Sequence, residues 1–243
     1  MLARPPVNAL DLAMVRGVVA ALKRAAADDA VRAVVIASAV AKGFCAGLDI
    51  VELAGRSPDQ IRTLVHELYV GLFDAQCQLG KPTIAAVNGA ARGGGMTLAV
   101  SCDIVLAAES ATFGYPEIDL GVLPTIHFVH LPRIIGRHRA FELLFTGRTF
   151  DAKQAAALGL VNRVVPDAEQ QTEALRLAGD WRQNPKPRCA RGAPRSCARS
   201  IAIIGEGLPK QSRTFARSSR PRSRKRSCGR SRKKAAPNNV RGL

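Results

Sequence analysis

The 243-residue sequence predicts an α/β fold with mostly parallel strands, on three observations. Runs rich in β-branched residues, at 31–37, 83–88 and 103–108, are too short for helices and read as buried strands. Stretches with a 3.6-residue apolar period lie between and after them, and strands alternating with helices imply parallel pairing through right-handed crossovers. Residues 1–184 carry 18 basic and 18 acidic residues and are rich in Ala, Val, Leu and Ile, which suits one domain burying about 70% of its unfolded surface.

Each element has its own signal. Val15, Val18, Val19 and Leu22 form one apolar stripe, with Asn8 as the expected N-cap and Asp11 three residues on as a helix-starting carboxylate. The strand at 31–37 follows, and a glycine-containing loop at 42–47 leads into a short helix. A longer helix is expected over 58–79. Pro82 introduces the strand at 83–88, which ends in Gly89 and the triple glycine Gly93-Gly94-Gly95. A helix to about Ser101 precedes the strand at 103–108. Residues 131–146 and 151–158 read as helical, 161–165 as a strand, and 167–181 as a final helix. No fixed-period repeat is present.

Composition excludes several classes. The six cysteines form no CxxC pair and have no His partner at zinc-ligand spacing, which argues against a disulfide scaffold and for a reducing compartment. No apolar run approaches the ~18 residues of a membrane span, and the N-terminus lacks a secretory pattern, so a cytoplasmic protein is expected. The net charge of +17 is confined to residues 185–243, where 18 basic residues meet one acid, Glu206. That segment is dominated by Arg, Ser, Pro, Gly and Cys, and such a composition is expected to remain disordered.

Two loop-to-helix junctions carry the chemistry: Phe44-Cys45-Ala46-Gly47-Leu48-Asp49-Ile50 and Arg92-Gly93-Gly94-Gly95-Met96-Thr97. Small residues let backbone approach a ligand, and the first helical amides lack internal partners. Two such ends facing each other supply two donors to one oxygen, which is what an oxyanion hole requires. The triple glycine matches neither GxGxxG nor a phosphate loop ending in Gly-Lys-Ser/Thr.

These junctions, with Arg4-Pro-Pro-Val-Asn-Ala-Leu10, Lys81–Gly89, Cys102-Asp103, Thr112–Gly121, Leu144–Gly147 and Ala157–Pro166, resemble the crotonase superfamily, the enoyl-CoA hydratase/isomerase family. The resemblance covers roughly residues 4–184. It implies a spiral of ββα units, a coenzyme A thioester as substrate, no separate cofactor and no metal, and a homotrimer or hexamer. It places the oxyanion-hole donors at the amides of Leu48 and Gly94, runs the CoA arm past Ala46, Gly47, Leu48, Asp49 and Ile50, and puts the catalytic carboxylate at Glu117. A carboxylate between apolar neighbours (Tyr115, Ile118) has its pKa raised and serves as acid or base near neutrality.

The sequence departs from the family pattern at Thr97, where hydratases carry a second acid. A threonine binds water or thioester but accepts no proton at pH 7, so the pattern leans from hydratase toward isomerase. Thr125 stands where dienoyl isomerases add an acid, which argues against them. Asp119 is a candidate auxiliary acid, with a loop-capping role as the alternative. His127, and less so His130, is a candidate proton-transfer group in a stretch where many members have a glycine-rich loop. Cys45 reads as packing, since nothing nearby lowers a thiol pKa, and Phe113 and Tyr115 read as pocket wall or core.

Residues 185–243 lack the acids and the periodicity of the helices with which family members continue. One reading makes them a frameshift product replacing those helices. Another makes the chain a catalytically impaired member whose basic tail binds nucleic acid or anionic surfaces without specificity. The opening strands of the family are also expected before Arg4.

Overall fold

The structure, a computed structural model, describes residues 1–181 apart from Lys42, Leu123 and Thr125. The expectations for residues 185–243, and that for Thr125, lie outside the described residues.

Helix α1 spans Leu12–Ala27 and buries Val15, Val19 and Leu22, the stripe its periodicity predicts. Its cap is Asp11, not Asn8: the Asp11 carboxylate accepts from the Met14 amide at 2.7 Å. Asn8 is fully buried with a left-handed φ of 53°. Its Nδ2 donates to the Phe44 carbonyl and to Ser38 Oγ, so it is spent on fastening the N-terminal segment rather than on starting a helix.

Strands β1 (Val34–Ala37) and β2 (Gly43–Cys45) follow, the second where only a loop was expected. Helix α2 is Ile50–Ala54. The long helix runs as α3 (Pro58–His66), a π-helical turn (Glu67–Gly71) and α4 (Leu72–Leu79). Ser57 and Gln60 start it with a reciprocal capping box, and Gly80 ends it in the left-handed conformation. Strand β3 (Thr83–Val87) leads to β4 (Ala90–Arg92) and helix α5 (Gly94–Val100). Strands β5 (Ile104–Ala108) and β6 (Thr112–Gly114) precede a 3₁₀ turn over Pro116–Leu120. Gly136 breaks the expected helix at 131–146 into α6 (His127–Ile135) and α7 (Arg137–Thr146). Strand β7 (Phe150–Asp151), α8 (Ala152–Ala157), β8 (Arg163–Val165) and α9 (Gln170–Asp180) complete the described chain.

The strands sort into two four-stranded sheets, β1-β3-β5-β8 and β2-β4-β6-β7. Three successive turns of chain, β1-β2, β3-β4 and β5-β6, each give one strand to each sheet before a helical segment, which is the expected spiral of ββα units. The last turn runs β7-α8-β8, with the helix between its strands. Every pairing is parallel except β6 with β7. Strand β3 shows why the first sheet needs apolar residues on both faces. Ala85 and Val87 enter the main core, while Ile84 and Ala86 pack on the other side with Ala174 of α9.

Candidate active site

The second sheet builds the site. Its three neighbouring parallel strands β2, β4 and β6 point the same way, so the segments leaving their C-terminal ends converge. From β2 come Ala46–Asp49, from β4 Gly93 and Gly94, and from β6 Pro116 and Glu117. Ligands of parallel sheets gather at such ends.

Close approach of α5 to β2 requires glycine. A Cβ built on Gly95 would fall 2.2 Å from the Cys45 carbonyl oxygen, so any side chain there drives the two elements apart. The same closeness brings the two amides together: a Cβ built on Gly47 would lie 3.1 Å from Gly94 N, and one on Gly94 3.4 Å from Leu48 N. Leu10 and Asp49 satisfy the backbone groups on either side of Leu48, through Leu10 N to Gly47 O and Asp49 N to Leu10 O. The Leu48 and Gly94 amides donate to no acceptor among the described residues.

Glu117 stands on the 3₁₀ turn after β6 with its carboxylate against Gly93. Its Oε2 is buried without a hydrogen-bond partner, and burial pushes the carboxyl up to about 7, with its own backbone amide pulling the other way. The carboxylate's charge reaches Tyr115 and Tyr69, raising both phenols further above a range that burial has already lifted.

These groups line one cleft of about 750 Å³, within the usual range for a small-molecule site. Ala46, Gly47, Leu48, Asp49, Ile50, Gly94 and Glu117 all line it. Val7, Ile50, Val51 and Leu120, large apolar residues left exposed, also belong to its wall. Such an apolar rim suits a long, partly apolar ligand arm. Arg4 lines the cleft too. It bridges the caps of two helices, with Nε 3.2 Å from Asp11 and Nη2 2.8 Å from Asp49, while Nη1 donates to the Ala9 carbonyl. Asp49 in turn caps α2 through the Glu52 amide, and that bond, followed by Arg4, holds its carboxyl below the usual range.

Thr97 and His127 are brought together, but away from that cleft. Thr97 Oγ1 lies 3.1 Å from His127 Nε2, both residues are buried, and they line a separate small cavity. Burial, with His130 and against the Gly93 carbonyl, lowers the His127 pKa to about 3, so its ring is neutral. Asp119 is exposed and outside the cleft wall, which gives its auxiliary role no geometric support. Cys45 is fully buried, and burial pushes its thiol up to about 12. Phe113 and Tyr115 are core. The clasp of Arg4 and the contact of Glu117 with Gly93 appear only in the folded chain. Neither has a signal in the sequence, because Arg4 lies 7 and 45 residues from the acids it joins and Gly93 lies 24 from Glu117. Among the described residues, no three His, Cys, Asp or Glu side chains are grouped to hold a metal ion, and no helix is long and apolar enough to cross a membrane.

Two sheets wound as a ββα spiral, with paired amides and a buried carboxyl at one strand end, define an α/β protein with a small-molecule cleft. A family model described as enoyl-CoA hydratase/isomerase matches residues 1–194, and the chain belongs to that family. It is similar to a probable enoyl-CoA hydratase of Rhizobium meliloti, 40% identical over 210 residues, covering 86% of this chain and 80% of that protein. It is also similar to a probable mitochondrial enoyl-CoA hydratase 2 of Arabidopsis thaliana, 39% identical over 172 residues and 70% of this chain, but spanning only 57% of that protein. The crystal structure of human mitochondrial delta3-delta2-enoyl-CoA isomerase superposes with a TM-score of 0.78 at 26% identity, over 89% of this chain and 84% of that one.

Proposed function

We propose that the chain is an enzyme acting on an enoyl-CoA thioester, with Glu117 as acid and base and the Leu48 and Gly94 amides as oxyanion hole. One observation carries the reading: two unengaged amides and a buried carboxyl of raised pKa face one cleft. With a pKa of about 7, Glu117 is populated in both protonation states near neutrality. As carboxylate it takes a proton from the α-carbon. The electron pair moves onto the thioester oxygen, where the two amides meet it, and each such donor is worth about 2.7–4 kcal/mol at the transition state. The protonated Glu117 then returns the proton to the γ-carbon, which moves the double bond.

That proton shuttle needs one carboxyl, which favours isomerisation over hydration. Thr97 supports this preference, because its hydroxyl is engaged with His127 and cannot act as a second base. Relatives named as hydratases and a solved isomerase flank both options. The test is purified protein with short 2-enoyl- and 3-enoyl-CoA. Bond migration is expected, and Glu117→Gln is expected to lose at least a hundredfold in rate. Turnover unaffected by Glu117→Gln, or none with any enoyl-CoA, overturns the reading.

A further inference from the structure

The two amides of the site come from separate strands, and the ladder between those strands stops short of them. Strands β2 and β4 last pair at Cys45 with Ala91, three residues before Leu48 and three before Gly94, and their register is already irregular between Gly43 and Cys45. Two donors serve one oxygen only if both stand about 2.7–3.1 Å from it. Something beyond the ladder must therefore hold their separation.

Residues 7–10 run beside residues 46–49 and are bonded to them three times. Ala46 N donates to Val7 O at 3.0 Å, Leu10 N to Gly47 O at 2.7 Å and Asp49 N to Leu10 O at 3.0 Å. The last two bonds fall on either side of the Leu48 amide, where Leu10 and Leu48 form an isolated parallel bridge. The backbone of Leu10 thus holds one half of the hole. Its side chain meets the other half. A Cβ built on Gly94 would lie 3.1 Å from Leu10 Cδ1 and 3.2 Å from Leu68 Cδ2. Both distances are below ordinary carbon–carbon contact, so the two leucines already fill the room over Gly94. Leu10 and Leu68 are fully buried and cannot swing into solvent.

Leu10 is itself fixed from both sides. It precedes Asp11, the cap of α1, and follows Asn8, whose amide is bonded to Ser38 and to the Phe44 carbonyl. Arg4 Nη1 donates to the Ala9 carbonyl at 2.8 Å. A residue anchored in this way can transmit little slack between the groups it touches.

We infer that Leu10 is a positioning residue for the reaction: its backbone holds the Leu48 amide, its side chain braces Gly94, and the two together set the separation of the oxyanion donors. The inference rests on the enoyl-CoA reading above and adds a residue to its machinery.

The test is steady-state kinetics of the full chain with a short 3-enoyl-CoA across pH. Leu10→Ala keeps the backbone bonds and removes the carbons that reach Gly94. Its kcat is expected to fall at least about tenfold while KM stays within about threefold. Leu10→Met has a similar volume and the same reach, and should keep kcat within about threefold of native. Leu22, buried in the same core and absent from the cleft wall, is the control for lost packing. Leu22→Ala should also melt lower, yet keep kcat within about threefold. The pH midpoint of kcat should be the same in all of these proteins, because Glu117 and its seat are left in place. Leu10→Val, one carbon short of Gly94 and leaving a smaller void, carries the test if Leu10→Ala does not fold. An unchanged kcat, a loss confined to KM, an equal loss in Leu22→Ala, no rescue by Leu10→Met, or a moved pH midpoint overturns the inference. Absence of turnover in the native protein overturns instead the enoyl-CoA reading on which it stands.

Discussion

Glu117 Oε1 lies so close over Gly93 that a Cβ built on that glycine would fall 2.3 Å from it. The glycine is therefore the floor on which the carboxyl rests, and its φ of 47° is one that L side chains rarely adopt. One residue thus supplies the turn into α5 and the room for the acid. Its neighbour Gly94 supplies an amide to the same cleft.

Gly93→Ala is expected to displace the carboxylate and to strain the turn. The loss of activity should approach that of Glu117→Gln, at least a hundredfold, while stability falls by about 1–3 kcal/mol. Steady-state rates with an enoyl-CoA and a urea titration separate the two effects. A Gly93→Ala enzyme with near-native rates would mean that Glu117 does not need this seat.

Glu117 also leaves a signature in stability against pH. Its folded pKa of about 7 stands above the usual 4.5, so the folded state holds the proton more tightly than the unfolded chain. Its contribution is fully present below pH 4.5, declines as pH rises, and is gone once pH passes about 7. A shift of this size corresponds to a loss on the order of 3 kcal/mol across that window. Melting temperatures from pH 4 to 8 should show the decline in the native protein and not in Glu117→Gln, which is expected to be the more stable protein above pH 7. Parallel curves for the two proteins would show that the carboxyl is not held in an apolar setting.

Arg4 ties Asp49, next to Leu48, to the Asp11 cap of α1. Both ion pairs are partly exposed, so the stability they confer is small, about 1 kcal/mol or less. Positioning is another matter, because a misplacement near 1 Å can cost a hundredfold in rate. Asp49→Asn retains a capping side chain but loses the charge. It should melt within a few degrees of the native protein while kcat drops about tenfold. A change confined to KM would assign the pair to ligand binding rather than to holding the Leu48 amide.

The chain was legible wherever an element was long enough to show a period or a loop had a chemical reason for its residues. The Val15–Leu22 stripe and the β3 and β5 strands were of this kind. Strands β4 and β6 were not: three residues each cannot display an alternation, yet their ends carry Gly93 and Glu117 to one place. Asn8 misled for a different reason. Its amide suits a cap, but buried donors and acceptors around Phe44 and Ser38 compete for it, and only the folded chain reveals them. Leu48, Gly94 and Glu117 were read from motif order, and the cleft contains all three. Thr97 and His127 stand 30 residues apart in the sequence. Their meeting at 3.1 Å depends on how α5 and α6 pack, and no sequence spacing encodes it.

Two glycines in helices should respond oppositely to alanine, because their surroundings differ. At Gly95 the added Cβ would meet the Cys45 carbonyl oxygen at 2.2 Å and its carbon at 2.9 Å. These are backbone atoms of β2, within the buried sheet, and cannot swing aside. Either α5 lifts off the strand or β2 bends, and both movements part the Leu48 and Gly94 amides. Gly95→Ala should therefore cost several kcal/mol, in the range of overpacked cores, and abolish activity in whatever fraction still folds. At Gly17, exposed in the middle of α1, nothing lies within 4 Å of the added atom. Alanine there restricts the unfolded chain and improves helix propensity by about 1 kcal/mol. Gly17→Ala should raise the urea midpoint and leave the rate unchanged. Equal effects at the two positions would mean that α5 does not pack on β2 as closely as the site requires.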